Sequence, residues 1–491
     1  MSRTFRKPPK SGPSRPFVLK GKSVLAVLII ASFFAGVSGS VSRSLSGTIS
    51  VWKPEDDPAM TAALLQQRQE TVRRSLADST LAALWDSAPK RRGYGWVEER
   101  FTTPEEGEEA PPPLTQEQLD LIAEYMDEYY DSLANLTLRD PSRLFADPDG
   151  VQAAGNKAVW EYLIELRKLQ RSDLSLLAYK YMLRVRQGEW STDEDEEPLP
   201  EDGKLRVTAV EISGQAFTQF PQPASYSMAI YHRFVLAETQ EGWKIESHMQ
   251  MDPLYVVLFL EGDAHNLRNY FRSTFPEEKG KEYIALRLET LLEEAREGVK
   301  LRSAQTAQQA ESSLPASPSH PYNRQAAVDY ARQWVGDRNE EWPDYGRYGG
   351  NCQNYASQCL LAGGIPMDPY GESLWKWYSD VPNNRPGEAG RSASWSAVES
   401  FREYAENNTG FGLAAWADAP FYSGEPGDIL QIGTADDPLR HSVIITEVIK
   451  DAAGNTIDYL VCSNTSDLKD FPASAYFYTT QSLVKILGWN D

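Results

Sequence analysis

At 491 residues the chain is long enough for two or three domains with ordinary cores. A net charge of −21 argues against nucleic acid or an anionic lipid surface as a partner and leaves a peptide-like substrate open. Three cysteines, Cys352, Cys359 and Cys462, exclude a disulfide-framework protein. With no CxxC pair and no histidine-rich cluster, neither a metal nor a cofactor is expected.

Seven basic residues from Arg3 to Lys22 precede any acidic one, and the apolar run Val24 to Val37 follows them. The small residues Gly36, Ser38, Gly39 and Ser40 come next. Residues 1–45 therefore read as an export signal or, stretched through Val41 toward the roughly 20 residues of a span, as an N-terminal membrane anchor. Either reading puts the folded part outside the cytoplasm, with membrane contact only through this segment. Residues 46–113 read as a polar helical stalk and a linker. Leu64, Leu65, Val72 and Leu76 give the stalk, from Val51 to about Trp96, a thin apolar stripe, and the acidic, proline-rich stretch Glu105 to Pro113 marks a boundary.

Residues 114–302 read as an α+β middle domain. Thr115 and Gln118 form a capping box before a helix that buries Leu119, Ile122, Met126, Tyr129 and Leu133. A second helical region is expected from Asn156 to Gln187, carrying Trp160, Leu163, Leu166, Leu176, Tyr179 and Met182. The acidic run Asp193 to Asp202 reads as a solvated loop, because it lacks the spacing of a calcium site. Strands are expected at Lys204 to Ile212, Ser225 to Glu238 and Trp243 to Met251, the last two joined by a hairpin. The run SMAIYHRFVLAETQEGWKIESHMQMDP resembles the late hairpin of SnoaL-like cone domains, which implies helices packed into a curved antiparallel sheet. His232 and His248 are read as sheet residues, since no third ligand accompanies them. A charged helix from Lys281 to Leu301 precedes a low-complexity linker, residues 303–320.

The C-terminal domain, 321–491, begins with a helix capped by Asn323. In the stretch YGGNCQNYASQCLLAGGIPM, Gly349 and Gly350 let the chain turn, Asn351 takes the N-cap position and Cys352 falls in the first helical turn. Unpaired N–H groups there favour an anion, so a thiol so placed can serve as a nucleophile. Tyr355, Ala356 and Cys359 continue one inward face, and Gly363, Gly364 and Pro366 end the helix. Most free cysteines are small buried residues, and a nucleophile needs a base. Of five histidines only His320 and His441 lie in this part, and His441, opening the strand HSVIITEV, is the candidate. Another helix is expected near Ser396 to Glu406 and strands at Asp428 to Gly433, His441 to Val448 and Thr456 to Ser463, an α+β pattern. The hairpin at KDAAGNT returns the chain across from His441 near Asn464, with Ser463, Thr465 and Asp467 as alternatives for a residue that orients the imidazole. One bridge, between Cys359 and Cys462, is open in principle and leaves Cys352 as the odd cysteine.

The motifs YNRQAAVDYARQW, GGNCQNYASQCLLAGGIPM, the Trp395 helix, GDIL, HSVIIT and SNTSD occur in order, and together they resemble the bacterial putative amidase domain. That family is a member of the papain-like cysteine hydrolase superfamily. The resemblance covers Pro321 to the C-terminus and implies a papain-like fold, Cys352 as nucleophile and His441 as base. Asn464 completes a Cys-His-Asn set, although the family often has histidine there and aspartate at the position of Asn351. The activity so implied is hydrolysis of amide bonds in peptidoglycan-like or other peptides, secreted or anchored to the outer face of the bacterial cytoplasmic membrane. The alternative is an inactive envelope binding or scaffold protein with a ligand-binding middle domain.

Overall fold

The computed structural model describes residues 93–99, 113–187, 204–221, 223–251, 254–255, 280–305, 315–345, 350–465 and 467–491. The expected leader, the acidic run at 193–202 and nearly all of the stalk and its linker lie outside them. Where the stalk was expected to end as helix, Gly93–Glu99 forms a strand, β1. Among the described residues no helix is long and apolar enough to cross a membrane.

The first helix, α1 (Gln116–Asn135), starts at the expected capping box: the Thr115 N–H donates to Gln118 Oε1 at 2.8 Å and the Gln118 N–H to Thr115 Oγ1 at 3.3 Å. It buries Ile122, Tyr125, Met126 and Leu133. The next helix, α2 (Val151–Lys168), is shorter than the periodicity suggested. Its expected second half is a strand, β2 (Leu176–Gln187). Arg171, Ser172 and Asp173 break the helix, and LLAYKY then alternates tyrosines and aliphatics at period two, so Tyr179 and Tyr181 line one face of a sheet. Three long antiparallel strands follow, β3 (Lys204–Phe217), β4 (Ser225–Thr239) and β5 (Gly242–Met251), and then the helix α3 (Gly280–Ala304).

The C-terminal part supplies α4 (Arg324–Trp334), α5 (Cys352–Ala362), a short turn of helix at Ala393–Ser396 and α6 (Val398–Asn407). Six strands follow: β6 (Gly412–Ala419), β7 (Ile429–Gly433), β8 (His441–Lys450), β9 (Thr456–Ser463), β10 (Leu468–Pro472) and β11 (Thr480–Asn490). Helices with a large, mainly antiparallel sheet make the described residues α+β; among the described strands only β1 against β2 is parallel.

All eleven strands belong to one sheet, in the order β1-β2-β3-β4-β10-β9-β8-β7-β11-β6, with β5 also on β4. The seam between the middle and C-terminal parts is narrow in the backbone: Leu468 pairs with Ser227 and Lys469 with Tyr226. Side chains widen it. Tyr162 donates to the Phe477 carbonyl at 2.9 Å, Ser225 to the Asp470 carbonyl at 2.6 Å and Ser172 to Asp458 at 3.0 Å, all buried. One apolar core runs across the seam from Trp160 and Phe234 to Tyr459 and Phe471, while a second surrounds α5 with Trp375, Trp395, Phe401 and Ile444.

Candidate active site

Helix α5 is the centre of the C-terminal core. The sequence pattern suggested one inward face, but every residue from Cys352 to Leu360 is buried. Tryptophan-rich loops cover the side that the pattern left to solvent, and each polar residue there has a partner. Trp395 Nε1 donates to Asn354 Oδ1 at 2.8 Å, Trp375 Nε1 to Ser357 Oγ at 3.1 Å, and Tyr330 Oη to Gln358 Oε1 at 2.9 Å. Such full pairing is what a buried polar helix face requires.

Asn351 stands at the N-cap position without capping through its side chain. It organises the loop instead. Its Oδ1 accepts from the Tyr345 N–H at 3.1 Å and from Asn354 Nδ2 at 2.9 Å, and its own N–H donates to Thr465 Oγ1 at 2.8 Å. Its Nδ2 donates to Asn464 Oδ1 at 2.7 Å. The residue before the sulfur is thus held both by its own loop and helix and by the residues that follow β9. Thr465 makes this contact with φ at 128°, a region that β-branched residues rarely enter, so the surroundings must hold it there.

The first turn of α5, which carries Cys352, packs against the first residues of β8, which carry His441. Ser442, next to the histidine, donates its Oγ to Gln353 Oε1 at 2.7 Å, next to the cysteine. The backbone N–H of Ser442 points at the Cys352 sulfur, as do those of Gln353 and of Cys352 itself. The His441 ring lies 6.2 Å from the rings of both Tyr476 and Tyr478, and the charge of a Cys352 thiolate is felt at both tyrosines. The two tyrosines thus lie near both the sulfur and the imidazole. Both residues are buried, Cys352 with 7% of its surface exposed and His441 with 6%.

Asn464 does not carry the imidazole. Its Oδ1 is on Asn351, and its Nδ2 donates to the carbonyls of Trp334 and Asp337, both at 3.2 Å. The reason is the period of a strand. The register pairs Ile444 with Cys462, which sets Asn464 opposite Ser442 rather than His441. Opposed residues share a face, so Ser442 and Asn464 both turn to α5, and His441, one residue away, turns to the tyrosines. Of the alternatives, Ser463 accepts from Tyr476 Oη at 2.9 Å, Thr465 holds Asn351, and Asp467 pairs with Arg338 at 3.3 Å. Among the described residues no side chain hydrogen-bonds the His441 ring.

Burial pushes the Cys352 thiol above its ordinary value, against the pull of the three N–H groups and Arg440. Burial, aided by Arg440, lowers His441 to about 3. At neutral pH the pair is a thiol beside a neutral imidazole, able to pass a proton one way. Cys359 and Cys462 are free thiols with no exposure, so the open bridge between them is not formed. Sequence reasoning missed Tyr476 and Tyr478, whose spacing of two in SAYFYTT was the available signal, and it missed the Gln353 to Ser442 tie, which only the packing of α5 on β8 reveals.

The other buried histidines belong to the middle part. Tyr125, His248, His232, Glu211 and Tyr130 form a chain of hydrogen bonds, with His248 Nε2 3.0 Å from His232 Nδ1 and His232 Nε2 2.8 Å from Glu211.

The chain is 31% identical over 125 residues to the Uncharacterized protein YhbB of Bacillus subtilis (strain 168), which is 25% of this chain and 37% of that protein. It therefore spans little over a third of the length of that curated relative. No solved structure matches. The C-terminal third, residues 321–487, matches the family described as "Putative amidase domain".

Proposed function

We propose that this chain is an exported cysteine hydrolase that cleaves amide bonds in peptidoglycan-like or other peptides. The family match suggests a hydrolase acting on amides. The observation that carries the cysteine reading is the meeting of the first turn of α5 with the first residues of β8, where the Ser442 N–H points at the Cys352 sulfur. His441 takes the thiol proton as the sulfur attacks the carbonyl carbon, and backbone N–H groups of the α5 N-terminus hold the oxyanion. The imidazolium then gives its proton to the departing amine, leaving a thioester on Cys352. Water, deprotonated by His441, hydrolyses the thioester and frees the acid. Asn464 acts here as a positioning residue, through Asn351. The basic and apolar N-terminus supports export, by cleaved signal or retained anchor.

The test is incubation of the full chain with purified cell wall and with short peptides, followed by mass spectrometry of the released fragments. Wild type should release amine and acid products, and Cys352→Ala or His441→Ala should lose at least about a thousandfold in rate. Equal release by wild type and Cys352→Ala, or release by neither, overturns the proposal. Products carrying an added amine in place of water assign acyl transfer instead.

A further inference from the structure

A cavity of about 120 Å³ lies where the middle and C-terminal parts meet. Its apolar walls come from both sides, among them Tyr129 and Leu254 from one and Phe471 and Phe477 from the other. The side chain that gives it chemistry is Arg167, in the last turn of α2 and only 6% exposed. A guanidinium carries five N–H donors. Those of Arg167 reach the Leu174 carbonyl at 3.4 Å and Gln215 Oε1 at 3.2 Å, both neutral acceptors, and the Phe217 ring lies 5.6 Å from its central carbon.

No carboxylate of the described residues forms an ion pair with Arg167. Glu211 lines the same cavity, but its oxygens are occupied by His232 and Tyr130. Burial lowers Arg167 to about 10, which still leaves it a cation at neutral pH. A buried cation without a counter-charge is costly. Beside a cavity, the planar fork of an arginine is a receptor for a carboxylate, which it can hold through two parallel hydrogen bonds. Ser227 on the cavity wall is a further polar neighbour. An apolar cavity of about 150 Å³ takes up benzene, so the apolar body of a ligand here is at most about one ring, roughly six non-hydrogen atoms.

We propose that the cavity is a binding site for a small monocarboxylate, its carboxylate on the Arg167 guanidinium and its apolar body against Tyr129, Phe471 and Phe477. Neither Cys352 nor His441 lines the cavity, although Tyr476 lines it and lies near both, and the proposal stands whether or not the thiol is catalytic. It is tested by calorimetric titration of the full chain with benzoate and with its neutral isostere, benzamide. Benzoate should bind saturably at one site, with benzamide at least about tenfold weaker. Arg167→Gln should weaken benzoate by at least about tenfold and leave benzamide unchanged. Ala475→Phe, which fills the cavity and leaves Arg167 in place, should abolish benzoate binding and so decides the matter if Arg167→Gln does not fold. Absence of saturable benzoate binding at millimolar concentration, equal affinity for the two probes, or undiminished benzoate binding by Ala475→Phe overturns the proposal.

Discussion

A thiol at a helix N-terminus ordinarily gains thiolate character from the unpaired N–H groups around it. At Cys352 desolvation outweighs three such groups, and the same burial keeps His441 neutral down to about 3. The pair therefore rests as thiol and imidazole rather than as an ion pair, and the proton moves during attack. Alkylation of Cys352 by iodoacetamide should rise with pH through neutrality and on past the ordinary thiol range; a rate already at its plateau in mild acid indicates a resting ion pair and contradicts this. Cys359 and Cys462 should stay unlabelled in the native chain, since both are fully enclosed, with Cys462 pushed up to about 12 by burial. Asn464 invites a second comparison. Removing its amide in Asn464→Ala leaves the buried Asn351 Nδ2 and the carbonyls of Trp334 and Asp337 without their partner, which should cost about 1–3 kcal/mol in urea unfolding along with activity. A residue that only oriented an imidazole would lower the rate and leave the unfolding midpoint in place.

At the scale of elements, α5 and β8 were legible because their signals are local: glycines around a short helix, and a β-branched run opened by histidine. The second half of the expected helix at Asn156–Gln187 was not, because tyrosine and leucine suit either period and only the break at Ser172 and the pairing with β3 decide it. The strands β6, β10 and β11 owe their register to neighbours far along the chain, as with β10 between β9 and β4, so no local pattern could set them. Asn464 shows the same limit on a smaller scale: its neighbourhood was readable, but the face it turns to depends on a one-residue register. The glycine pair after α5 divides its tasks in a way the sequence hides. Gly364, at φ 91°, needs its conformation, while Gly363 is ordinary at φ −73° and needs its space, because a Cβ there would sit 2.1 Å from the Tyr322 ring. Gly364→Ala should cost about 1–2 kcal/mol through backbone strain. Gly363→Ala should cost about 1–3 kcal/mol through overpacking. A double change of Gly363→Ala with Tyr322→Ala should recover part of the second loss and none of the first, as read from thermal midpoints.

For the whole molecule, the continuous sheet and the core that crosses its seam imply that the middle and C-terminal parts unfold together. Each part contains a buried histidine held neutral, His248 in one and His441 in the other, so protons can report on that cooperativity. Both folded values lie below the ordinary 6.5, that of His441 at about 3, so below pH 6.5 the unfolded chain binds protons that the folded chain refuses. Stability contributed by these rings is therefore full above pH 6.5 and is lost as pH falls, at about 1.4 kcal/mol per pH unit for each histidine. Asp428 and Asp458, raised by burial, act with the opposite sign, so the histidine effect is read as a difference between variants. Urea midpoints from pH 4 to 6.5 should show one transition, and His248→Gln and His441→Gln should each flatten its pH dependence by about one proton. If the two parts are independent, two transitions appear, and each substitution flattens only its own.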